Sequence, residues 1–214
     1  MKTNRRVRKN GGLAFLNKEQ TMKQFFAMFS RMKYINRWAL MKNTRSENLS
    51  EHSLEVAAIA HAIAVMKNLR FGGALNAERA AVLGLYHDMP EIITGDMPTP
   101  VKYHSKTLRN AFREVETEAC SRLLSMLPED MKESFSPYFF KTEEDGYLWK
   151  IVKAADKISA LFKCIEEEKS GNHEFSSALC STKKAIEKMN LPEADAFLEE
   201  FMEAYKLNLD EQSI

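Results

Sequence analysis

Two histidines and two aspartates have the residue types and surroundings of metal ligands. His87 and Asp88 are adjacent, His52 lies in the string SEHSLEVA, and Asp156 lies in the largely apolar string LWKIVKAADKISALF. A carboxylate in such an apolar helix is expected to be buried, which is costly unless it is paired or binds a metal. Imidazole suits transition metals such as zinc and iron, and carboxylates suit harder ions such as manganese. Together these side chains predict one divalent-metal site with positions left for water and a phosphate oxygen.

Each member of this set also has a plain structural interpretation. A His-Asp pair on a helix is common by chance, and Asp156 taken alone favours a salt bridge to Lys153 or Lys157. The metal hypothesis therefore rests on all four residues arriving from three predicted helices. His61 is not expected to be a ligand, because nine residues after His52 it lies on the other side of the same helix.

The elements that must position these residues are predicted to be helices. From Met22 onward the apolar residues follow helical spacing, and no window alternates as a strand would. Ser50 and Asn76 are typical N-caps, Gly95 is a typical stop, and two prolines argue against helix between Asp96 and Pro100. The predicted helices cover residues 50–67, 76–93, 105–127, a short stretch from 128, 142–169, 174–190 and 192–206.

Size and composition favour one globular domain at 22–214, preceded by a basic tail at 1–21. The chain has 214 residues, 44% of them apolar, and a net charge of +1, which argues against a protein that coats nucleic acid. Its cysteines, Cys120, Cys164 and Cys180, are widely spaced and are expected to be buried free thiols of a reducing compartment. No apolar run has transmembrane length and no secretory signal is evident, so a cytoplasmic location is expected.

Four segments carry a family resemblance. The order His, His-Asp, Asp resembles the signature of the HD-domain phosphohydrolases. INRWALM at 35–41, ENLSEHSL at 47–54, YHDMPEIITGDMPTPVKY at 86–103 and KAADKISALFKCIEE at 153–167 resemble the bacterial 5′-deoxynucleotidase branch of that superfamily. The combination of NRW with GDMPTPVK is the most specific part. Met89-Pro90 is a local departure, because a proline inside a helix can kink it and shift Glu91.

The resemblance implies an all-α HD-domain helical bundle that hydrolyses deoxyribonucleoside 5′-monophosphates. It also implies a homodimer that uses one divalent ion, such as cobalt or manganese, and that needs neither a nucleic-acid polymer nor a membrane. The implied metal ligands are His52, His87, Asp88 and Asp156. The implied substrate and catalytic residues are Arg37 on the phosphate, Trp38 on the sugar, Glu91 on water, and Asp96, Met97, Pro98 and Thr99 on the nucleotide, with His52, Asp88 and Asp156 also lining the substrate.

These roles agree with the chemistry of a phosphomonoester. The guanidinium of Arg37 matches phosphate oxygens, and a flat indole at Trp38 can reject a 2′-hydroxyl. The leaving 5′-oxygen needs a proton from Glu91 or Asp96, and the sequence leaves the division of acid and base between them open. Without the resemblance, the favoured interpretations are a surface cation at Arg37 and a core residue at Trp38.

Two other functions are compatible with the same motifs. One is an HD phosphodiesterase acting on a signalling nucleotide, and the other is a catalytically silent nucleotide-binding module. The complete metal set and Glu91 disfavour the silent module. Arg37-Trp38 together with the DMPTP loop favours the deoxynucleotidase over the phosphodiesterase.

Overall fold

The fold was obtained as a computed structural model that describes residues 22–102 and 104–212. Within these ranges the chain is helical and contains no strand, so the all-α prediction is confirmed. The basic segment 1–21 lies outside the described residues, and its boundary with the domain stays a prediction. The helices are α1 Phe25–Phe29, α2 Leu49–Arg70, α3 Ala77–Tyr86, α4 Glu91–Thr94, α5 Thr99–Lys102, α6 Lys106–Ser125, α7 Glu129–Phe135, α8 Gly146–Lys169, α9 Ser176–Glu187 and α10 Pro192–Phe201. Short 3₁₀ turns cover Ser30–Tyr34, Ser136–Tyr138, His173–Phe175, Met202–Lys206 and Leu209–Glu211.

Helices α2, α3 and α8 pack together and enclose the main core. Their apolar faces bury aliphatic side chains such as Val56, Ile63 and Ile151 completely. A Cβ atom on Gly84 would lie 2.9 Å from the Cα of Ala57, so only glycine lets α3 approach α2 this closely. This close contact brings the start of α2 and the end of α3, where His52 and His87 lie, to the same side of the molecule.

The first turn of α2 is capped differently from the prediction. Asn48, not Ser50, is the N-cap: its side chain accepts hydrogen bonds from the backbone N–H groups of Ser50 and Glu51, and the Glu51 side chain accepts one from the backbone N–H of Asn48, which completes a capping box. Asn is as good a cap as Ser, and the reciprocal bond from Glu51 selects the earlier position. The helix therefore begins at Leu49 and places His52 in its first turn.

The helix predicted from residue 76 to 93 is interrupted at the HD pair. Asn76 caps α3 as predicted, but α3 ends at Tyr86 and a turn precedes α4. Pro90 is the cause, because it has no N–H to donate and its ring crowds the preceding turn.

Gly95 ends α4 with a φ of 73°, as predicted for a helix stop. The expected loop at 96–100 is wrong at its end: α5 begins at Thr99, and Pro100 is tolerated in the first turn of a helix.

Other sequence expectations are confirmed in part. α6 lies within the predicted span with Ser105 as its cap, but α8 begins at Gly146, four residues after Thr142. Phe25 is buried in the core, whereas Phe26 is 57% exposed. Cys120 and Cys164 are buried and Cys180 is exposed, so the expectation of burial was wrong for Cys180. None of the helices described at 22–102 and 104–212 is long and apolar enough to cross a membrane.

Candidate metal centre and substrate site

The four predicted ligands meet at one point. One candidate ligand atom from each of His52, His87, Asp88 and Asp156 lies within 4.8 Å of the others. The Nε2 atom of His52 is 3.5 Å from Asp88 Oδ2 and 3.3 Å from Asp156 Oδ1, and His87 Nε2 is 3.0 Å from Asp88 Oδ2. The alternative for Asp156 fails among the described residues, since its charged neighbours there are His52 and Arg37 and not a lysine.

The donor set fits a metal ion because both imidazoles present a free nitrogen. Nδ1 of His87 lies 2.7 Å from the carbonyl oxygen of Gly84, which can only accept, so this nitrogen carries the proton. The Nε2 atoms of His52 and His87 are buried and have no hydrogen-bond partner among the described residues. Two orphaned ring nitrogens facing two carboxylates are the arrangement that a divalent cation completes.

A second layer of residues holds the His52 ring from behind. Nδ1 of His52 is 3.0 Å from the hydroxyl of Ser159, and that hydroxyl donates to Oε2 of Glu55 at 2.5 Å. Because the single hydroxyl proton points to Glu55, Ser159 must accept from Nδ1–H, which leaves Nε2 unprotonated. Burial raises the pKa of Glu55, partly offset by the hydrogen bond from Ser159. Glu55 and Ser159 thus set the tautomer that a metal ligand requires.

Within the centre the imidazoles and the carboxylates shift one another's pKa values. Burial alone would lower the pKa of His87, but the negative charge of Asp88 raises it overall. Burial alone would raise the pKa values of Asp88 and Asp156, but the nearby imidazoles lower both. Asp156 was expected to be buried, yet its side chain is 35% exposed. It therefore lies at the solvent-facing opening of the centre.

Arg37 and Trp38 lie next to this opening. The Nη2 atom of Arg37 is 3.8 Å from Asp156 Oδ1, and burial would lower the arginine pKa if Glu47, Asp156, Asp88 and Asp96 did not raise it. The indole of Trp38 packs against Phe175 with ring centroids 5.2 Å apart. Arg37 is therefore not a free surface cation, and Trp38 is not a fully enclosed core residue.

Glu91 and Asp96 are both close enough to the centre to feel its charge. Burial, together with the charges of Asp88 and Asp96, raises the pKa of Glu91 to about 10. Its Oε2 atom is buried and has no hydrogen-bond partner among the described residues. Burial also raises the pKa of Asp96, although Arg37 and the backbone N–H of Trp38 act in the opposite direction. Beyond Asp96, Met97 and Pro98 are half-buried and Thr99 is exposed at the start of α5.

Comparison with known proteins identifies the family. The model of the YfbR-like 5′-deoxynucleotidases matches residues 24–205. The chain belongs to this family. A 5′-deoxynucleotidase of Photorhabdus laumondii is 46% identical over 193 residues, which cover 90% of this chain and 98% of that protein. A 5′-deoxynucleotidase of Vibrio vulnificus is 48% identical over 189 residues, which cover 88% of this chain and 97% of that protein.

The fold of this family member also resembles a solved HD-domain phosphohydrolase. The crystal structure of such a protein from Listeria innocua matches with a TM-score of 0.72 and 25% identity, covering 85% of this chain and 88% of that chain. The HD-domain helical bundle predicted from the motifs is therefore confirmed, as is a His and Asp centre for a metal.

Three residues of this deoxynucleotidase site were missed in the sequence. Glu47 and Glu55 lie in or next to the string that contains His52, and Ser159 lies three residues after Asp156. Glutamate and serine are common in helices, and nothing in their spacing separates these from solvated residues. These residues are close in sequence to predicted metal ligands, but closeness in sequence does not show which side chains point towards the metal centre.

Proposed function

We propose that the protein is a metal-dependent phosphatase that converts deoxyribonucleoside 5′-monophosphates to deoxynucleosides and phosphate. The observation that carries this proposal is the convergence of His52, His87, Asp88 and Asp156 beside Arg37, in a chain of the 5′-deoxynucleotidase family. A divalent metal bound there supplies Lewis acidity, which neutralises phosphate charge and activates water. Cobalt, manganese or a similar transition metal suits this mixed donor set.

We assign the binding of the substrate phosphate to Arg37. Its guanidinium is buried and its pKa is raised, so it stays charged, and it offers donors in the planar geometry that phosphate oxygens accept. Asp156 lies on the metal side of the guanidinium, 3.8 Å away. A phosphate between Arg37 and the metal ligands would therefore be oriented from both sides.

We assign the choice of sugar to Trp38. A 2′-hydroxyl pushed against an indole face loses its water without gaining a partner, which costs about 1–3 kcal/mol. At the upper end this discriminates against ribonucleotides on the order of a hundredfold. Met97, Pro98 and Thr99 complete the nucleotide side of the site in this proposal, and they follow Asp96 directly in the chain.

We assign the proton donor to Glu91 and leave Asp96 as the group that accepts a proton or a hydrogen bond. Glu91 keeps its proton at neutral pH in the metal-free protein, because burial and the charge of Asp88 raise its pKa to about 10. Burial also raises the pKa of Asp96, but Arg37 and the backbone N–H of Trp38 oppose that shift and favour its charged form. A protonated carboxyl at Glu91 can deliver a proton to the leaving 5′-oxygen.

Phosphate release from matched deoxy and ribo monophosphates, such as dAMP and AMP, tests this function with and without chelator. We expect metal-dependent release that strongly favours dAMP. Trp38→Ala should reduce that preference, whereas Arg37→Ala should depress both substrates alike. Cleavage of a cyclic or diester nucleotide in place of dAMP would favour the phosphodiesterase alternative, and tight nucleotide binding without turnover would favour the silent module.

We also propose that the protein is a homodimer. The support is the resemblance to the deoxynucleotidase branch, together with exposed apolar side chains such as Leu54, which is 67% exposed on α2. Light scattering coupled to gel filtration measures the mass directly. A particle of 24.6 kDa, the mass of one chain, at micromolar concentration would contradict the proposal.

A further inference from the structure

One buried carboxylate connects the two residues to which substrate contacts are assigned. Oε2 of Glu47 accepts a hydrogen bond from Arg37 Nη1 at 3.0 Å and another from Trp38 Nε1 at 2.9 Å. The Glu47 side chain is only 11% exposed. A buried carboxylate must be paired, and here both hydrogen-bond partners are residues to which substrate contacts are assigned.

Backbone contacts near Glu47 also hold the Arg37-Trp38 segment in place. Asn36 and Asn48 form an isolated antiparallel bridge, and the N–H of Arg37 donates to the carbonyl of Glu47 at 2.9 Å. The Arg37-Trp38 segment has no helix of its own among the described residues and depends on these links for its position. Glu47 therefore anchors it through main chain and side chain together.

Trp38 needs such an anchor because its backbone conformation is unfavourable. Its φ is 59°, in the left-handed region that a bulky residue rarely adopts. Surrounding contacts must hold it there. The described contacts of the ring are the hydrogen bond to Glu47, the packing on Phe175 and the guanidinium of Arg37, which lies 5.9 Å from the ring centroid. The hydrogen bond is the one that fixes the rotation of the indole plane.

We propose that Glu47 is a positioning residue that sets sugar selectivity by fixing the Trp38 indole and the Arg37 guanidinium in one geometry. The proposal rests on the assignment of Trp38 to the sugar and Arg37 to the phosphate. Glu47 does not touch the nucleotide. Its shared oxygen keeps the indole face at a constant distance from the phosphate site, so that a 2′-hydroxyl always meets the ring.

Two substitutions separate orientation from charge. Glu47→Ala removes both hydrogen bonds, frees the indole, and should lower the ratio of kcat/KM for dAMP over AMP on the order of tenfold, the effect of losing one orienting bond. Glu47→Gln keeps a carbonyl oxygen that can accept both bonds but removes the charge. It should change KM for both substrates by the same factor and keep the ratio within about threefold.

Glu51→Ala is the matched control. Glu51 is a nearby carboxylate in the first turn of α2, which begins just after Glu47; it is 47% exposed, and it pairs with the exposed Arg45. Its removal costs a capping interaction but leaves Trp38 untouched, so the sugar ratio should stay at the wild-type value. Thermal unfolding of each variant shows whether the fold is intact.

A double-mutant cycle with Trp38→Phe tests the mechanism from the other partner. Phenylalanine keeps an aromatic face but lacks the N–H that Glu47 accepts. Trp38→Phe alone should lower the sugar ratio, and Glu47→Ala added to it should lower the ratio no further. The single variant Trp38→Phe remains informative even when Glu47→Ala does not fold, because an unchanged sugar ratio in Trp38→Phe would overturn the proposal.

The outcomes also separate this proposal from the function on which it rests. A wild-type enzyme that hydrolyses dAMP and AMP equally would overturn the assignment of Trp38 to the sugar, and with it the role of Glu47. A wild-type enzyme that prefers dAMP, with the same preference in a folded Glu47→Ala variant, would overturn the role of Glu47 alone.

Discussion

Ser159→Ala should weaken metal binding more than it weakens the fold. The Ser159 hydroxyl is the acceptor for His52 Nδ1 at 3.0 Å, and it is fully buried. Without it the nearest described acceptor for Nδ1–H is Glu47 Oε1 at 3.7 Å, which is too far for a hydrogen bond. The imidazole would then be free to turn and to exchange its proton between the two nitrogens. Both changes reduce the fraction of molecules in which Nε2 is ready to bind a cation.

The magnitude follows from what such supporting contacts are worth. Residues that orient a metal-bound histidine typically change metal affinity 10–100-fold, or about 1.4–2.7 kcal/mol. The loss of one buried hydrogen bond costs the fold about 0.5–1.5 kcal/mol in comparison. The free energy of metal binding should thus change more than the free energy of unfolding of the metal-free protein.

Ser53→Ala is the control for this experiment. Ser53 neighbours His52, is 1% exposed, and its hydroxyl has no hydrogen-bond partner in the described part of the chain. The same atom is removed, but nothing that touches the imidazole changes. Calorimetric titration of Mn²⁺ or Co²⁺ into chelator-treated protein should give wild-type affinity for this variant and a 10–100-fold loss for Ser159→Ala. Equal affinities in the two variants would refute the orienting role of Ser159.

Three further predictions concern the ligand set, the tail and the acid. Asp156→Ala should abolish phosphate release and metal binding, while His61→Ala, which alters an exposed side chain on α2, should leave both near wild type; equal losses would contradict the ligand assignment. A chain that begins at Met22 should match the full chain in kcat/KM, and a large fall would place the tail in the site. Folding gives Glu91 a proton, since its pKa rises from 4.5 to about 10, so the unfolding free energy of metal-free protein should decline with rising pH between those values. Chemical denaturation against pH should show a smaller slope for Glu91→Gln than for wild type.

The metal ligands could be predicted because their residue types conflict with their surroundings. Asp156 stands in an apolar helix, and the HD pair interrupts an alanine- and leucine-rich one. A polar residue in such a place needs a partner, and one shared divalent cation would serve all four of them. The helices themselves followed from apolar spacing, and their errors lie at caps and prolines, where one local hydrogen bond decides the boundary.

The residues that support the ligands could not be predicted for the opposite reason. Ser159 and Glu55 are ordinary helix residues, and their link to His52 joins α8 to α2 across 104 to 107 positions of sequence. Glu47 was invisible in the same way, because its role depends on the left-handed turn at Trp38. Neither a residue's type nor its spacing encodes which neighbour from a distant segment will reach it after packing.

The charges around Arg37 explain why a metal must contribute to substrate binding as well as to chemistry. Glu47, Asp156, Asp88 and Asp96 all raise the pKa of Arg37, which means that its positive charge is already surrounded by carboxylates. A phosphomonoester approaching as a dianion therefore meets a metal-free site whose field is dominated by negative groups. Two added positive charges at the four ligands would offset part of that negative field on the side where Asp156 opens to solvent. Recognition of the phosphate thus depends on the same four side chains that hold the metal.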